Sequence, residues 1–356
     1  GAGVDAGYIE RTLNINEVSE NLDRLFPEFE IDFHTFFARI LQGDLTGAFG
    51  AFMASMRSSV QAQVGGMRNL FITLLLIGML SALYTVVTKA FKNQQLADMA
   101  HFIAYLMMQA VVLAAYLQAA GITKELLDRM LLFVRLFIPT FMLALGLSAG
   151  TATAVGYYEL ILLLIYGVEQ ILVSIGLPVI HVYMMLVMMD GIWEEKRMDA
   201  LLELTQKGAK GALKFLLACV TGVGLLQSMI TPVLEQLKLT AASKALSAIP
   251  GLGGLAEGTA QMLLGSAVLV KNGLGVAAVL LLLAFCIVPF AKHLLYGSIL
   301  RLCAGLLGLA AGKRLTGCVG GAGDAIFLLL RISYTAGACF LILFAIITCL
   351  AGTAGR

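Results

Sequence analysis

From residue 70 onward the chain is a succession of apolar runs, each about as long as the oily part of a bilayer is thick. Residues 70–88 form the first run, flanked by Arg68 and Lys89. Residues 101–119 follow, then 131 to about 155, a run interrupted by Arg135 and Pro139. Residues 158–189, 212–232, 272–290, 294–311 and 325–351 complete the series. A crossing helix needs about 20 predominantly apolar residues. Within lipid a segment must also satisfy its own backbone hydrogen bonds, which a helix does. The pattern predicts an all-α, polytopic integral membrane protein with about eight or nine transmembrane helices over 70–356. Composition agrees, since 60% of the 356 residues are hydrophobic and 13% charged, against about 25% charged in a soluble domain. That leaves too little polar surface to cover a water-soluble domain.

The run 158–189 is ambiguous. Its 32 residues are too many for one straight crossing and few for two, and Gly176 and Pro178 sit at its middle. It is either a tight hairpin or one broken, tilted helix.

Residues 1–69 differ from the rest. They hold nine acidic residues and five arginines, a net charge of −4, whereas the whole chain carries +2. Nothing here is apolar enough to span a bilayer. Phe33, Phe36, Phe37, Ile40 and Leu41 fall at helical spacing behind a possible N-cap, Asp32. Asp44 is placed to cap a second helix, with Phe49, Phe52, Met53 and Met56 on one side. The segment reads as a short helical unit that packs on itself, on the membrane surface or on a partner. The chain starts at Gly1 rather than Met, an expectation of a removed signal peptide, although an arbitrary starting point gives the same beginning.

Charge in the loops bears on orientation. Lys196, Arg197, Lys207, Lys210 and Lys214 make residues 190–214 the richest basic stretch between runs, so it should face the cytoplasm. Five acids balance them, Glu194 and Glu195 included, and Met198, Leu201, Leu202 and Leu204 give an apolar edge. The stretch predicts an amphipathic cytoplasmic helix that lies on headgroups or docks a partner, with Glu194, Glu195, Lys196, Arg197 and Lys207 as docking candidates. A hairpin at 158–189 places the N-terminal segment outside and a single crossing places it inside. The acidic character of 1–69 favours outside, which then puts Lys313 and Arg314 on the side where basic residues are disfavoured.

Enzyme signatures are missing. None of His34, His101, His181 and His293 begins an H-E-x-x-H, and no G-x-S-x-G occurs. Gly312-Lys313 imitates a P-loop, but Leu307 replaces the leading Gly and Arg314 the Ser or Thr. The six cysteines form no C-x-x-C pair and read as buried packing residues. No catalytic group, cofactor, metal or nucleic-acid site is expected.

What remains is polar residues at membrane depth: Arg135, Glu169 with Gln170, His181, Arg301 and Arg331. A charge near the bilayer centre costs at least about 2.5 kcal/mol. Each therefore needs water, a partner or a route to the headgroups. Arg135, Glu169, His181, Arg301 and Arg331 are candidates for a polar pathway, the alternatives being an ion pair of Glu169 with an arginine, or arginines snorkelling to the interface. Glycines four apart, Gly146 with Gly150 and Gly308 with Gly312, lie in apolar helices and suit close helix packing. Residues 250–258 are Gly-rich and precede a short apolar piece, 262–270, too short to cross. A re-entrant segment over about 250–273 fits, with Pro250, Gly251, Gly253, Gly254, Lys271 and Asn272 as gate candidates, and an extracytoplasmic amphipathic helix fits equally.

Three stretches then carry a family likeness: Ala248-Ile-Pro-Gly-Leu-Gly-Gly254, Gly265-Ser-Ala-Val-Leu-Val-Lys-Asn-Gly-Leu-Gly275 and Phe285-Cys-Ile-Val-Pro-Phe-Ala-Lys292. They resemble the stage III sporulation protein AE family of endospore-forming bacteria, from about residue 30 to the C-terminus. The resemblance implies a multi-pass protein of the mother-cell membrane around the forespore. It implies partnership with other membrane subunits of one complex and with a separate cytosolic secretion-type ATPase. It implies a channel or secretion-like apparatus between the two cells, needed for late forespore sigma-factor activity. No catalytic residue is carried over. An autonomous small-molecule permease and a non-conducting scaffold are the alternative readings.

Overall fold

The computed structural model describes residue 39 and residues 44–90, 94–149, 163–192, 198–246, 282–283, 285–309 and 313–353. Among these, every regular element is helical. In chain order they are α1 (Leu45–Ala90), α2 (Gln94–Ala149), α3 (Leu163–Asp190), α4 (Asp199–Leu246), α5 (Phe285–Leu309) and α6 (Lys313–Thr353). The helix expected behind Asp32 lies outside the described residues, as does the Gly-rich stretch 250–273.

The start of α1 follows the sequence. The Gly47 N–H donates to Asp44 Oδ1 at 2.9 Å, the cap expected of that aspartate. The helix then runs unbroken to Ala90, through position 69, where the sequence changes character.

Five helices among the described residues are long and apolar enough to cross a bilayer, through the windows Met67–Tyr84, Asp98–Arg135, Leu163–Asp190, Phe285–Leu309 and Lys313–Ala345. The expected eight or nine crossings are thus not reached among these residues, and two features of the helices contribute to the difference. The runs at 101–119 and 131–155 share one helix, α2, as far as Ala149. The polar turn between them, Lys124 to Arg129, is made of good helix formers apart from Asp128, and Arg129 pairs with Glu125 one turn away. The other feature is α3, which is one rod from Leu163 rather than a hairpin. Pro178 has no N–H to give the carbonyl four residues back. The chain absorbs this with a π turn over Leu172–Gly176, in which the Leu177 N–H reaches the Leu172 carbonyl. Regular α-helix resumes at Leu177 with the proline in its first turn.

Burial comes from α6 packing against α2, α3 and α4, and from α1 packing along α2. Tyr116, Phe133, Leu74, Met108 and Leu127 are the largest fully buried side chains. Conversely Met79, Leu80, Leu83 and Val86 of α1 point outward, as a lipid-facing surface requires. Two glycines of α6 permit close approach. A Cβ on Gly321 would lie 2.5 Å from Val187 Cγ1, and one on Gly337 would lie 2.9 Å from Cys286 Sγ. At Gly308, by contrast, a Cβ would meet only Thr316 Cγ2, at 3.7 Å.

Helices consecutive in the chain run antiparallel, which brings three chain connections to one end. Ser81 meets His101 across α1 and α2. The Tyr105 hydroxyl donates to the Met188 carbonyl at 2.7 Å, joining the start of α2 to the end of α3. Gly321 against Val187 adds the start of α6. The connections Ala90 to Gln94, Asp190 to Asp199 and Leu309 to Lys313 therefore share an end. Their sequences and flanks hold Lys89, Lys92, Lys196, Arg197, Lys313 and Arg314. Lys313 and Arg314, which open α6, thus lie at the same end as Asp190 and Asp199.

Candidate functional site

Glu169 lies on α3 inside the apolar window, with 8% of its surface exposed. Its Oε2 makes no hydrogen bond among the described residues. Asp128 and Arg135 of α2 lie within Coulombic reach of the carboxyl. They are seven residues apart, two helical turns, and so share the face of α2 that passes Glu169. This is a loose constellation of two acids and one arginine rather than a closed ion pair. Arg135 is exposed on the bundle surface, which leaves its guanidinium a path outward. Gln170, the next residue, faces outward and donates to Ser174 Oγ at 2.7 Å.

One and a half turns past the π segment, His181 bonds through Nδ1 to the Leu177 carbonyl at 2.7 Å. Its ring meets Tyr116 edge to face at 5.5 Å between centroids. The Tyr116 hydroxyl is buried without a hydrogen-bond partner among the described residues. Glu169 and His181 both face α2, with Pro178 and the π turn between them.

A second polar cluster was not anticipated from sequence. His293 of α5 is 0% exposed. Its Nδ1 lies 2.6 Å from the Pro289 carbonyl of its own helix, so Nδ1 carries a proton. Its Nε2 faces α2, 2.8 Å from Thr123 Oγ1 and 3.1 Å from the Ala119 carbonyl. In the neutral ring the Thr123 hydroxyl donates to Nε2. The available signal was a histidine in an apolar run beside Lys292, but nothing local points to residue 123. Tyr105 was likewise missed; Gln109 donates both to its hydroxyl and to the Met188 carbonyl, each at 2.8 Å.

Arg301 and Arg331 sit elsewhere, where α5 and α6 meet α4. Arg301 pairs with Asp324, across the α5–α6 seam. Lys210 of α4 is within Coulombic reach of Arg331, Arg301 and Lys214. Burial first, and then these like charges, hold its ammonium below the ordinary lysine range. Lys207 pairs with Glu203 at 2.5 Å on the exposed side of α4. The hydrogen bond and charge of Lys207 hold the Glu203 carboxyl below its usual range.

The predicted polar residues thus divide. Arg135, Glu169 and His181 line the α2–α3 seam, whereas Arg301 and Arg331 belong to the α4–α5–α6 side. Of the docking candidates, Glu194, Glu195, Lys196 and Arg197 lie outside the described residues; Lys207 lies on α4, a helix as expected. The gate candidates Pro250, Gly251, Gly253, Gly254, Lys271 and Asn272 also lie outside them. Cys286, Cys303, Cys318 and Cys339 are buried and Cys219 is exposed. Among the described residues no group of three or more His, Cys, Asp or Glu is placed to hold a metal ion.

Comparison with known proteins adds identity to this architecture. The family model described as stage III sporulation protein AE matches residues 31–351. Stage III sporulation protein AE of Bacillus subtilis (strain 168) is 24% identical over 248 residues, covering 69% of this chain and 62% of that protein. The match therefore spans somewhat under two thirds of the relative's length. No solved structure shows a significant match. A match running through nearly all of this helical bundle leaves one conclusion: the chain belongs to the stage III sporulation protein AE family.

Proposed function

We propose that the protein is a multi-pass subunit of a channel or secretion-like complex connecting mother cell and forespore, placed in the mother-cell membrane around the forespore. The observation that carries this reading is the family match over residues 31–351. The bundle is compatible with it: five helices suit a bilayer. The end where α1 and α3 finish and α6 begins, whose flanking and connecting sequences carry Lys89, Lys92, Lys196, Arg197, Lys313 and Arg314, faces the mother-cell cytoplasm by the bias of basic residues toward that side. Three candidate spans precede that end of α3, an odd number, so the acidic N-terminal segment stands in the space between the two membranes.

In this role the protein works by assembly and polarity rather than by covalent chemistry. Partner membrane subunits complete the conduit, and a separate cytosolic secretion-type ATPase supplies energy. Glu169, with Asp128 and Arg135 near it, is the polar group we assign to the conduction or coupling step. A buried carboxylate oxygen without a hydrogen-bond partner, such as Glu169 Oε2, costs stability, and that cost is offset when water or a neighbouring subunit reaches it.

Reconstitution into liposomes tests the reading. Solute flux that requires partner membrane subunits supports the channel subunit, whereas flux by the lone chain makes it a permease. Glu169→Gln should impair sporulation while membrane levels stay normal. Full activity of that variant removes Glu169 from the mechanism, and neutral behaviour of every intramembrane charge with assembly intact makes the protein a scaffold.

A further inference from the structure

We propose that the basic face where α4 meets α5 and α6, formed by Lys210, Lys214, Arg301 and Arg331, is a binding site for a phosphate-bearing anion. This goes beyond the channel reading and does not depend on it. Four cations from three helices gather here: Arg301 of α5 pairs with Asp324, which lies two turns from Arg331 on the same face of α6, Ala209 and Ile332 beside Lys210 and Arg331 line one cavity, and Lys210 is within Coulombic reach of Arg331, Arg301 and Lys214. Among the described residues one acid, Asp324, touches the group, and Arg301 occupies it. Glu203, the nearest acid along α4, is engaged by Lys207. The face therefore holds an excess of positive charge that its own acids do not neutralise.

Clustered cations repel, and partial burial makes the repulsion stronger. Lys210 is half-buried, so water screens it incompletely. An anion bridging the helices relieves both costs. The side-chain chemistry selects its class. Arginine presents a planar fork of donors that matches phosphate oxygens, and lysine adds a point charge from a flexible stem. Two of each, on different helices, surround a tetrahedral anion more readily than a planar carboxylate.

Two sources offer that group. Lys210 and Lys214 flank the start of the apolar run at 212–232, the level where lipid headgroups lie, and basic pockets between membrane helices bind anionic headgroups. Ala209 and Ile332, chain neighbours of Lys210 and Arg331, also line an apolar cavity of about 100 Å³ between α3 and α4. A soluble phosphate compound carries the same anion without an acyl chain.

The test uses the full-length chain in a non-ionic detergent. One arm measures bound phosphatidylglycerol against phosphatidylcholine by native mass spectrometry, and the other measures inorganic pyrophosphate binding by calorimetry. Wild type should retain phosphatidylglycerol over phosphatidylcholine, bind pyrophosphate, or both; the arm that responds names the source. The pair Lys210→Gln with Arg331→Gln should weaken that binding about tenfold or more. The charge-preserving pair Lys210→Arg with Arg331→Lys should bind as wild type does. If the neutral pair does not purify as a folded particle, Lys214→Gln, at an exposed position, should weaken binding about threefold. Equal binding by neutral and wild-type chains, or no preference for either probe in wild type, overturns the proposal.

Discussion

The contact between His293 and Thr123 allows a quantitative test of how α5 is tied to α2. The Nδ1 contact stays within α5, because Pro289 is one turn away on the same helix. It survives if the helices part and so adds nothing to their association. The bond that matters is Thr123 to Nε2, at 2.8 Å. Hydrogen bonds between membrane helices average about 0.6 kcal/mol and reach about 1.7. This one should lie near the upper value, since both residues are fully buried and no water reaches them. Thr123→Val keeps the shape and removes the donor, leaving Nε2 without a partner, and should cost about 1.5 kcal/mol. His293→Leu should cost a similar amount. The orphaned hydroxyl then keeps its longer contact to the Ala119 carbonyl, at 3.3 Å. Because both changes delete one bond, the double variant should cost little more than either alone, a coupling of about 1 kcal/mol. Unfolding by sodium dodecyl sulfate in mixed micelles can be followed with a thiol-reactive dye, because Cys286, Cys303, Cys318 and Cys339 are buried when folded. Costs that add to within about 0.3 kcal/mol would show that the two side chains do not act as one clamp, and the reasoning would fail.

Three other outcomes follow from the packing and charge. Gly321→Ala places a Cβ 2.5 Å from Val187 and should lower stability by about 1–3 kcal/mol, whereas Gly121→Ala, whose Cβ meets nothing within 4 Å, should raise it by about 0.5–1 kcal/mol; melting in detergent compares them. Tyr105→Phe removes the hydroxyl that donates to the Met188 carbonyl and should cost about 1 kcal/mol, with faster amide exchange at the end of α3. The Glu203 carboxyl is held below its ordinary range by Lys207, so its small contribution is present above the unfolded value of about 4.3 and is lost as pH falls through the folded one. Circular dichroism of wild type should show that acid loss of α4 helicity, and Glu203→Gln should lack it.

Much of the architecture was legible because lipid imposes a simple code. Long apolar runs read directly as helices, Asp44 read as a cap, and Pro178 marked the one place where α3 departs from regular winding. Glu169 was legible for the same reason, as an acid inside an apolar run. The number of helices was less so. The polar turn at 124–129 looks like a connection when hydropathy alone is weighed, yet most of its residues favour helix and its Glu125–Arg129 pair reinforces it. Long-range pairings were not legible at all. Asp324 lies 23 residues from Arg301 and Thr123 lies 170 from His293, and periodicity carries no information about which distant turns meet. The same limit explains why Glu169 was matched with an arginine in general but not with Asp128 and Arg135 in particular.

The length of α2 has a mechanical consequence. Its 56 residues make a rod of about 84 Å, while the hydrocarbon layer is about 30 Å deep. Even leaning by forty degrees, such a rod would leave more than half its length standing clear of the oil. It is a mast rather than a rivet, stiff well past the lipid on at least one side.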